Sequence, residues 1–192
     1  MTSKTAHMNF ENQFLIAMPQ LKDPFFAGTV TYMWKHSADG ALGIVINKPL
    51  GASVSDIFDE LNIVCDTKTE HFAEQKVLAG GPVERDKGFI LHNSSKSWDS
   101  SVSISSEISL CTSRTILEDI ANGSGPDKYV IALGCAGWDA GQLEREIAEN
   151  SWLTAPVESD LLFSNNYNTM ASSAAAQLGI TLNQISPDAG HS

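Results

Sequence analysis

Positive charge is scarce in this sequence. Twelve Lys and Arg stand against 23 Asp and Glu, a formal net charge of −11 over 192 residues. The basic residues are scattered singly from Lys4 to Arg145, and none follows Arg145. Nucleic-acid binding needs cations that neutralise phosphates and release counterions. Direct DNA binding is therefore disfavoured, and so is attachment to an anionic membrane surface. Cysteine is scarce too. Cys65, Cys111 and Cys135 are odd in number, widely spaced and without a Cys-x-x-Cys pair, which argues against a disulfide framework and a zinc site. It suits a reducing compartment. The five histidines, His7, His36, His71, His92 and His191, include no i, i+4 pair, so no metal and no cofactor is expected. Long apolar runs are absent. The most apolar stretch, Tyr129 to Trp138, contains two glycines and falls well short of a bilayer span. Phe14–Met18 is apolar over only five residues and lacks a cleavage pattern. A soluble, cytoplasmic protein is the expectation.

The chain is 42% hydrophobic, enough to bury a core in one domain without staples. Residues 1–12 show little apolar periodicity and read as a flexible tail, as do residues 187–192; residues 13–186 read as the folded unit. Gln13–Met18 reads as a strand closed by Pro19. Residues 29–36 alternate, and Ala41–Asn47 is a second apolar run after Asp39-Gly40, the signal of an antiparallel hairpin. From Ser53 to Leu61, Val54, Ile57, Phe58 and Leu61 form one helical stripe, with Ser53 and Asp56 spaced as a capping pair. A polar loop follows over residues 64–75. Lys76–Ala79 and Gly88–His92 read as strands around Gly80-Gly81-Pro82. The alternation from Val102 through Ile104, Ser106 and Ile108 to Leu110 predicts one strand with a solvated face. Ile116, Leu117, Ile120 and Ala121 predict a short helix ended by Gly123. Tyr129–Leu133 predicts a central strand, followed by a turn over Gly134–Trp138 and a helix over Asp139–Asn150 with Ala140, Leu143, Ile147 and Ala148 inward. A strand at Leu161–Ser164 and a helix over about Asn166–Gln177 complete the reading. Helices and strands mix without a regular βαβ rhythm, which defines an α+β domain.

Four segments carry a resemblance. They are Phe14-Leu15-Ile16-Ala17-Met18-Pro19 with Asp23-Pro24-Phe25-Phe26; Gly40-Ala41-Leu42-Gly43-Ile44-Val45-Ile46-Asn47-Lys48-Pro49; Gly80-Gly81-Pro82-Val83 with Gly88-Phe89-Ile90-Leu91-His92; and Ala136-Gly137-Trp138 with Gly141-Gln142-Leu143-Glu144 and Trp152. Their order and spacing resemble the AlgH/YqgE family of bacterial proteins over about residues 10–186. The resemblance implies a single compact domain whose mixed, largely antiparallel sheet bends into a pseudo-barrel with flanking helices. It implies no established activity; one branch of the family carries the label of transcriptional regulator. This chain departs from the family pattern at Ala27-Gly28, where relatives often carry a basic residue. It also departs at Cys135, where an aromatic is common.

The residues themselves suggest a binding or regulatory module, with a small-molecule or protein site at strand ends, rather than an enzyme. Its candidate ligand-binding residues are Asn47, Gly80, Gly81, His92, Gly137, Trp138 and Gln142, polar groups beside backbone that glycine leaves open. Each has a plainer reading as a turn, a bend, a hydrogen-bonded histidine or packing. Asp139 with Gln142 is expected to cap the helix after Gly134–Trp138, leaving its N-terminus a poor phosphate site. Cys135 with His92 or His36 is the weak candidate for a thiol- or histidine-assisted hydrolase, and a small buried thiol is the favoured reading of Cys135. Glu144, Glu146 and Glu149 read as a solvated helix face, with Arg145–Glu149 as an ion pair. Neither a P-loop, a Gly-x-Gly-x-x-Gly fingerprint nor a Ser nucleophile elbow is present.

Overall fold

Alternating apolar residues on most of the strands sort to two faces of one sheet, and that sorting builds the molecule. The computed structural model describes residues 8–65, 70–93 and 96–184. The strands are β1 (Gln13–Ala17), β2 (Val30–Ser37), β3 (Gly40–Val45), β4 (Pro49–Ser53), β5 (Lys76–Ala79), β6 (Val83–His92), β7 (Ser101–Ser103), β8 (Ser109–Cys111), β9 (Tyr129–Asp139) and β10 (Trp152–Pro156). The helices are α1 (Val54–Glu60), α2 (Glu70–Glu74), α3 (Arg114–Ala121), α4 (Gln142–Ala148), α5 (Ser159–Leu162) and α6 (Met170–Ala176), before a 3₁₀ turn at Leu182–Gln184. Strand order is β10-β1-β2-β3-β9-β6-β8-β7, and β5 joins β4 to β9. The β5–β9 pairing is parallel; the other recorded pairings are antiparallel.

Phe14, Ile16, Val30, Tyr32, Ile44, Phe89, Leu91, Leu110 and Ala132, drawn from six strands, share one buried cluster that α5 and α6 complete with Leu162, Met170 and Ala174. Residues this far apart in the strand order meet because right-handed twist curls the sheet. The result is an α+β domain in the form of a half-barrel. The opposite face carries two smaller cores. Val54, Ile57 and Phe58 of α1 and Ile116, Leu117 and Ile120 of α3 cover Ile90 and Ile131. Leu143 of α4 packs with Leu15, Met33, Trp138 and Trp152.

The β2–β3 hairpin pairs Ser37 with Gly40, and α1 carries the expected capping box. The Asp56 N–H donates to Ser53 Oγ while Asp56 Oδ2 accepts from the Ser53 N–H at 2.7 Å. Elsewhere the structure corrects the sequence reading. The single strand expected over residues 102–110 is the β7–β8 hairpin, with Val102 opposite Leu110. Alternation has the same period on both arms, so it does not register a reversal at Ser105-Ser106-Glu107. The strand expected at Leu161–Ser164 is helix α5, and the strand is β10, which supplies β1 with its antiparallel partner. The polar loop over 64–75 contains α2, held by Phe72 edge-on to Phe58 at 5.1 Å; residues 66–69 lie outside the described residues. The tail expected over residues 1–12 meets the fold before Gln13: Phe10 is buried, and the Asn12 N–H donates to Met33 O at 2.8 Å. The tail expected at 187–192 lies outside the described residues. No helix among the described residues is long and apolar enough to cross a membrane.

The largest departure concerns Gly134–Trp138, expected as a turn. β9, 11 residues long, continues through it, pairing Gly137 with Leu42 and Trp138 with Ala41. Gly134 takes a positive φ of 79°, a conformation that only a residue without Cβ holds easily, and re-aims the strand from β6 toward β3. Helix α4 therefore starts at Gln142, with Gly141 and not Asp139 at the N-cap. Gln142 Oε1 still accepts from the Asp139 N–H at 3.0 Å.

Candidate functional site

Four segments converge on a groove beside α1 and α3. On α1, Ile57 and Glu60 stand at i and i+3, with Leu61 at the C-cap donating its N–H to Ile57 O; on α3, Arg114 and Leu117 stand at i and i+3, so each set shares a helix face. On β6, Asp86, Gly88 and Ile90 alternate onto one side, as Ile131 and Leu133 do on β9. These residues, with Thr112 and Ser113, line a cavity of about 480 Å³. Its floor is aliphatic, and Ile57, Ile90, Leu117 and Ile131 are buried. Its rim is charged. Glu60, Asp86 and Arg114 are exposed, and Arg114 Nε donates to Glu118 Oε1 at 2.8 Å. Among the described residues neither Glu60 nor Asp86 takes part in an ion pair. Gly88 stands in the groove with open space where a Cβ would lie. A volume of this size, apolar below and polar at its edge, is the usual form of a small-molecule site. A second cavity of about 470 Å³ lies beside Tyr129 and Lys128. There the Tyr129 hydroxyl donates to Gln75 Oε1 at 2.7 Å, and Lys128 Nζ to Asp160 Oδ1 at 2.8 Å. Burial pushes the Tyr129 phenol up to about 12.

The residues singled out in the sequence do not gather in one recess. Asn47 spends its amide on the chain: Oδ1 accepts from the Val30 N–H at 2.8 Å and Nδ2 donates to Gly28 O at 3.0 Å. Gly80 and Gly81 are buried against β9, where a Cβ on Gly81 would overlap the Cys135 carbonyl. The double glycine thus serves close strand packing. His92 pairs with Tyr129 at one end of β9, and Trp138 stands near the other, about 25–30 Å along the strand.

Trp138 and Gln142 do come together, around a residue that the sequence reading left on a solvated face, whereas Gly137 is exposed and faces Leu42 and Val83. Glu146 Oε2 accepts from the indole N–H of Trp138 and of Trp152, each at 2.9 Å, and Glu146 Oε1 accepts from Gln142 Nε2 at 2.8 Å. Phe26 closes the cluster, edge-on to Trp152 at 5.6 Å. Trp138 and Trp152 are only 6% and 4% exposed, so the space between the rings is filled. Glu144 is likewise engaged, at 2.8 Å from His36 Nε2, while His36 Nδ1 accepts from the Phe10 N–H. Nδ1 therefore carries no proton, and Nε2 donates to the carboxylate. No Arg145–Glu149 ion pair forms among the described residues. Two glutamates pin α4 to the sheet instead of facing water.

Cys135 is 2% exposed, and its thiol is pushed up, first by burial and then by Glu84, against a smaller opposite pull from Lys87. His92 lies six residues along β9 in the pairing register, about 20 Å away, and His36 is occupied by Glu144 and Phe10. The thiol–histidine pair considered from the sequence is not assembled. Among the described residues no three or more His, Cys, Asp or Glu are grouped to hold a metal; His7 and His191 lie outside the described residues. His92 itself is fully buried, edge-on to Trp98 at 5.1 Å, and among the described residues neither ring nitrogen has a hydrogen-bond partner. Burial holds its pKa below the ordinary histidine value.

Sheet, helices and groove define an α+β half-barrel protein with a helix-walled cavity on its outer face. The AlgH-like family model, DUF179, matches residues 14–183, and the chain belongs to that family. It is 48% identical over 187 residues to a UPF0301 protein of Thioalkalivibrio sulfidiphilus, covering 97% of this chain and 99% of that one. It is 44% identical over 183 residues to a UPF0301 protein of a Marinomonas species, covering 95% and 96%. The solution structure of the AlgH protein from Pseudomonas aeruginosa matches with a TM-score of 0.78 at 40% identity over 100% of both chains. A crystal structure of a Corynebacterium diphtheriae protein matches with a TM-score of 0.73 over 92% and 91% at 17% identity, a likeness of fold alone.

Proposed function

We propose that the protein is a non-catalytic binding or regulatory module whose ligand site is the α1–α3 groove. The observation that carries this reading is the cavity of about 480 Å³, with an aliphatic floor and, at its edge, two carboxylates that form no ion pair among the described residues. It replaces the strand-end recess expected from Asn47, Gly80, Gly81, His92, Gly137, Trp138 and Gln142, most of which are consumed by the fold. Regulation in this reading acts through a bound small molecule, not through contact with DNA. Its test is a fragment screen read by two-dimensional amide NMR. Binding fragments are expected to shift the amides of Ile57, Gly88, Ile90, Leu117 and Ile131. Shifts confined to the Trp138–Trp152 end, or no binding fragment at all, would contradict the assignment.

A further inference from the structure

We infer that the groove selects ligands with an apolar body and a cationic head, such as primary amines or guanidines; this rests on the binding role proposed above. The floor fixes the body. Ile57, Ile90, Leu117 and Ile131 offer side-chain carbon and no hydrogen-bonding group, so a polar ligand loses its water there without compensation. The rim fixes the head. Three charged side chains line the cavity: Glu60, Asp86 and Arg114. Arg114 is already answered by Glu118 at 2.8 Å, and among the described residues neither Glu60 nor Asp86 has an ion-pair partner, so the two carboxylates are the uncompensated charge there.

Asp86 is carried there by β6, whose alternate positions Asp86, Gly88 and Ile90 run from rim to floor. A ligand lying over Gly88 with its chain on Ile90 has its head at the level of Asp86. Gly88 offers no side chain to obstruct it. The net charge of −11 acts in the same direction at long range, concentrating cations near the surface and repelling anions. Against this stands the N-terminus of α3, where the Ser113 hydroxyl already accepts from the Thr115 N–H. The groove's volume of about 480 Å³ suits a small molecule.

The test uses the full-length protein and three probes of equal length, hexylamine, hexanoate and hexanol, titrated at neutral pH and low salt while amide shifts are followed. Hexylamine should perturb the groove amides and bind at least about threefold more tightly than hexanol, with hexanoate weakest, as expected for two exposed charges acting on one cation. Replacing both carboxylates, Glu60→Gln with Asp86→Asn, should bring hexylamine and hexanol to the same affinity. Binding of all three in the groove with equal affinity, or a preference for hexanoate, would overturn the cation selectivity and leave the groove as a site. Absence of all three from the groove would overturn the binding reading itself, and the inference with it.

Discussion

A buried imidazole with both nitrogens unpartnered is tolerated only in its neutral form, because a proton would place an uncompensated charge beside Trp98 and the aliphatic core of α3. Among the described residues His92 holds that position. Its folded-state pKa lies below the unfolded value, so the unfolded chain takes up the proton first. The resulting stability is complete above the unfolded pKa, about 6.5, and is lost as pH falls below it toward the folded value. His92→Phe keeps the aromatic contact and removes the unsatisfied nitrogens. It should stabilise the protein by about 1–2 kcal/mol at neutral pH, and urea unfolding at pH 7 and pH 5 should show a smaller drop than in the wild type. An equal drop would place the acid sensitivity elsewhere. A second residue-scale expectation separates two glycines that look alike in the sequence. Gly81→Ala forces a Cβ into the Cys135 carbonyl, whereas a Cβ on Gly137 meets Leu42 and Val83 at 3.7 and 3.9 Å, ordinary contacts. Denaturant titration should show a loss of about 3 kcal/mol or more for Gly81→Ala and a change within about 0.5 kcal/mol for Gly137→Ala.

At the scale of elements, α4 is the instructive case. It is seven residues long and buries only Leu143 fully, too little to hold a short helix by apolar contact alone. Glu146 supplies the remainder by accepting two buried indole N–H groups. Glu146→Ala orphans both, with an expected cost of about 2–4 kcal/mol and a marked change in tryptophan emission; unchanged emission would show that the indoles are not held there. This pin was not legible in the sequence, because Glu144, Glu146 and Glu149 follow the spacing of an ordinary solvated face, and only the return of β9 and β10 brings Trp138 and Trp152 over it. The helices α1 and α3 were legible, since their apolar stripes and the Ser53–Asp56 cap are local signals. β9 was half legible: Tyr129–Leu133 reads as a strand, but Gly134-Cys135-Ala136-Gly137 reads as a turn. Those small residues in fact admit Gly80 and Gly81 of the adjoining backbone. β4 and β10 escaped because Pro49, Gly51 and Pro156 break the strand pattern, while their partners in β5 and β1 are distant in sequence.

For the molecule as a whole, the sheet's curl spreads one core across its inner face and leaves the outer face to two helix-covered patches, and in one of them the groove of about 480 Å³ stays open between α1 and α3. Sequence alone did not reveal it, because Ile57, Ile90, Leu117 and Ile131 are indistinguishable from ordinary core residues until four segments are set side by side. Gly88 gives the most direct measurement. A side chain at this position enters the groove without meeting another atom within 4 Å of its Cβ, so Gly88→Leu should fold like the wild type while occupying the space that a ligand needs. Fragments that shift the wild-type spectrum should lose affinity by about tenfold or more in Gly88→Leu at an unchanged melting temperature. Undiminished binding to that variant would contradict the groove as the site.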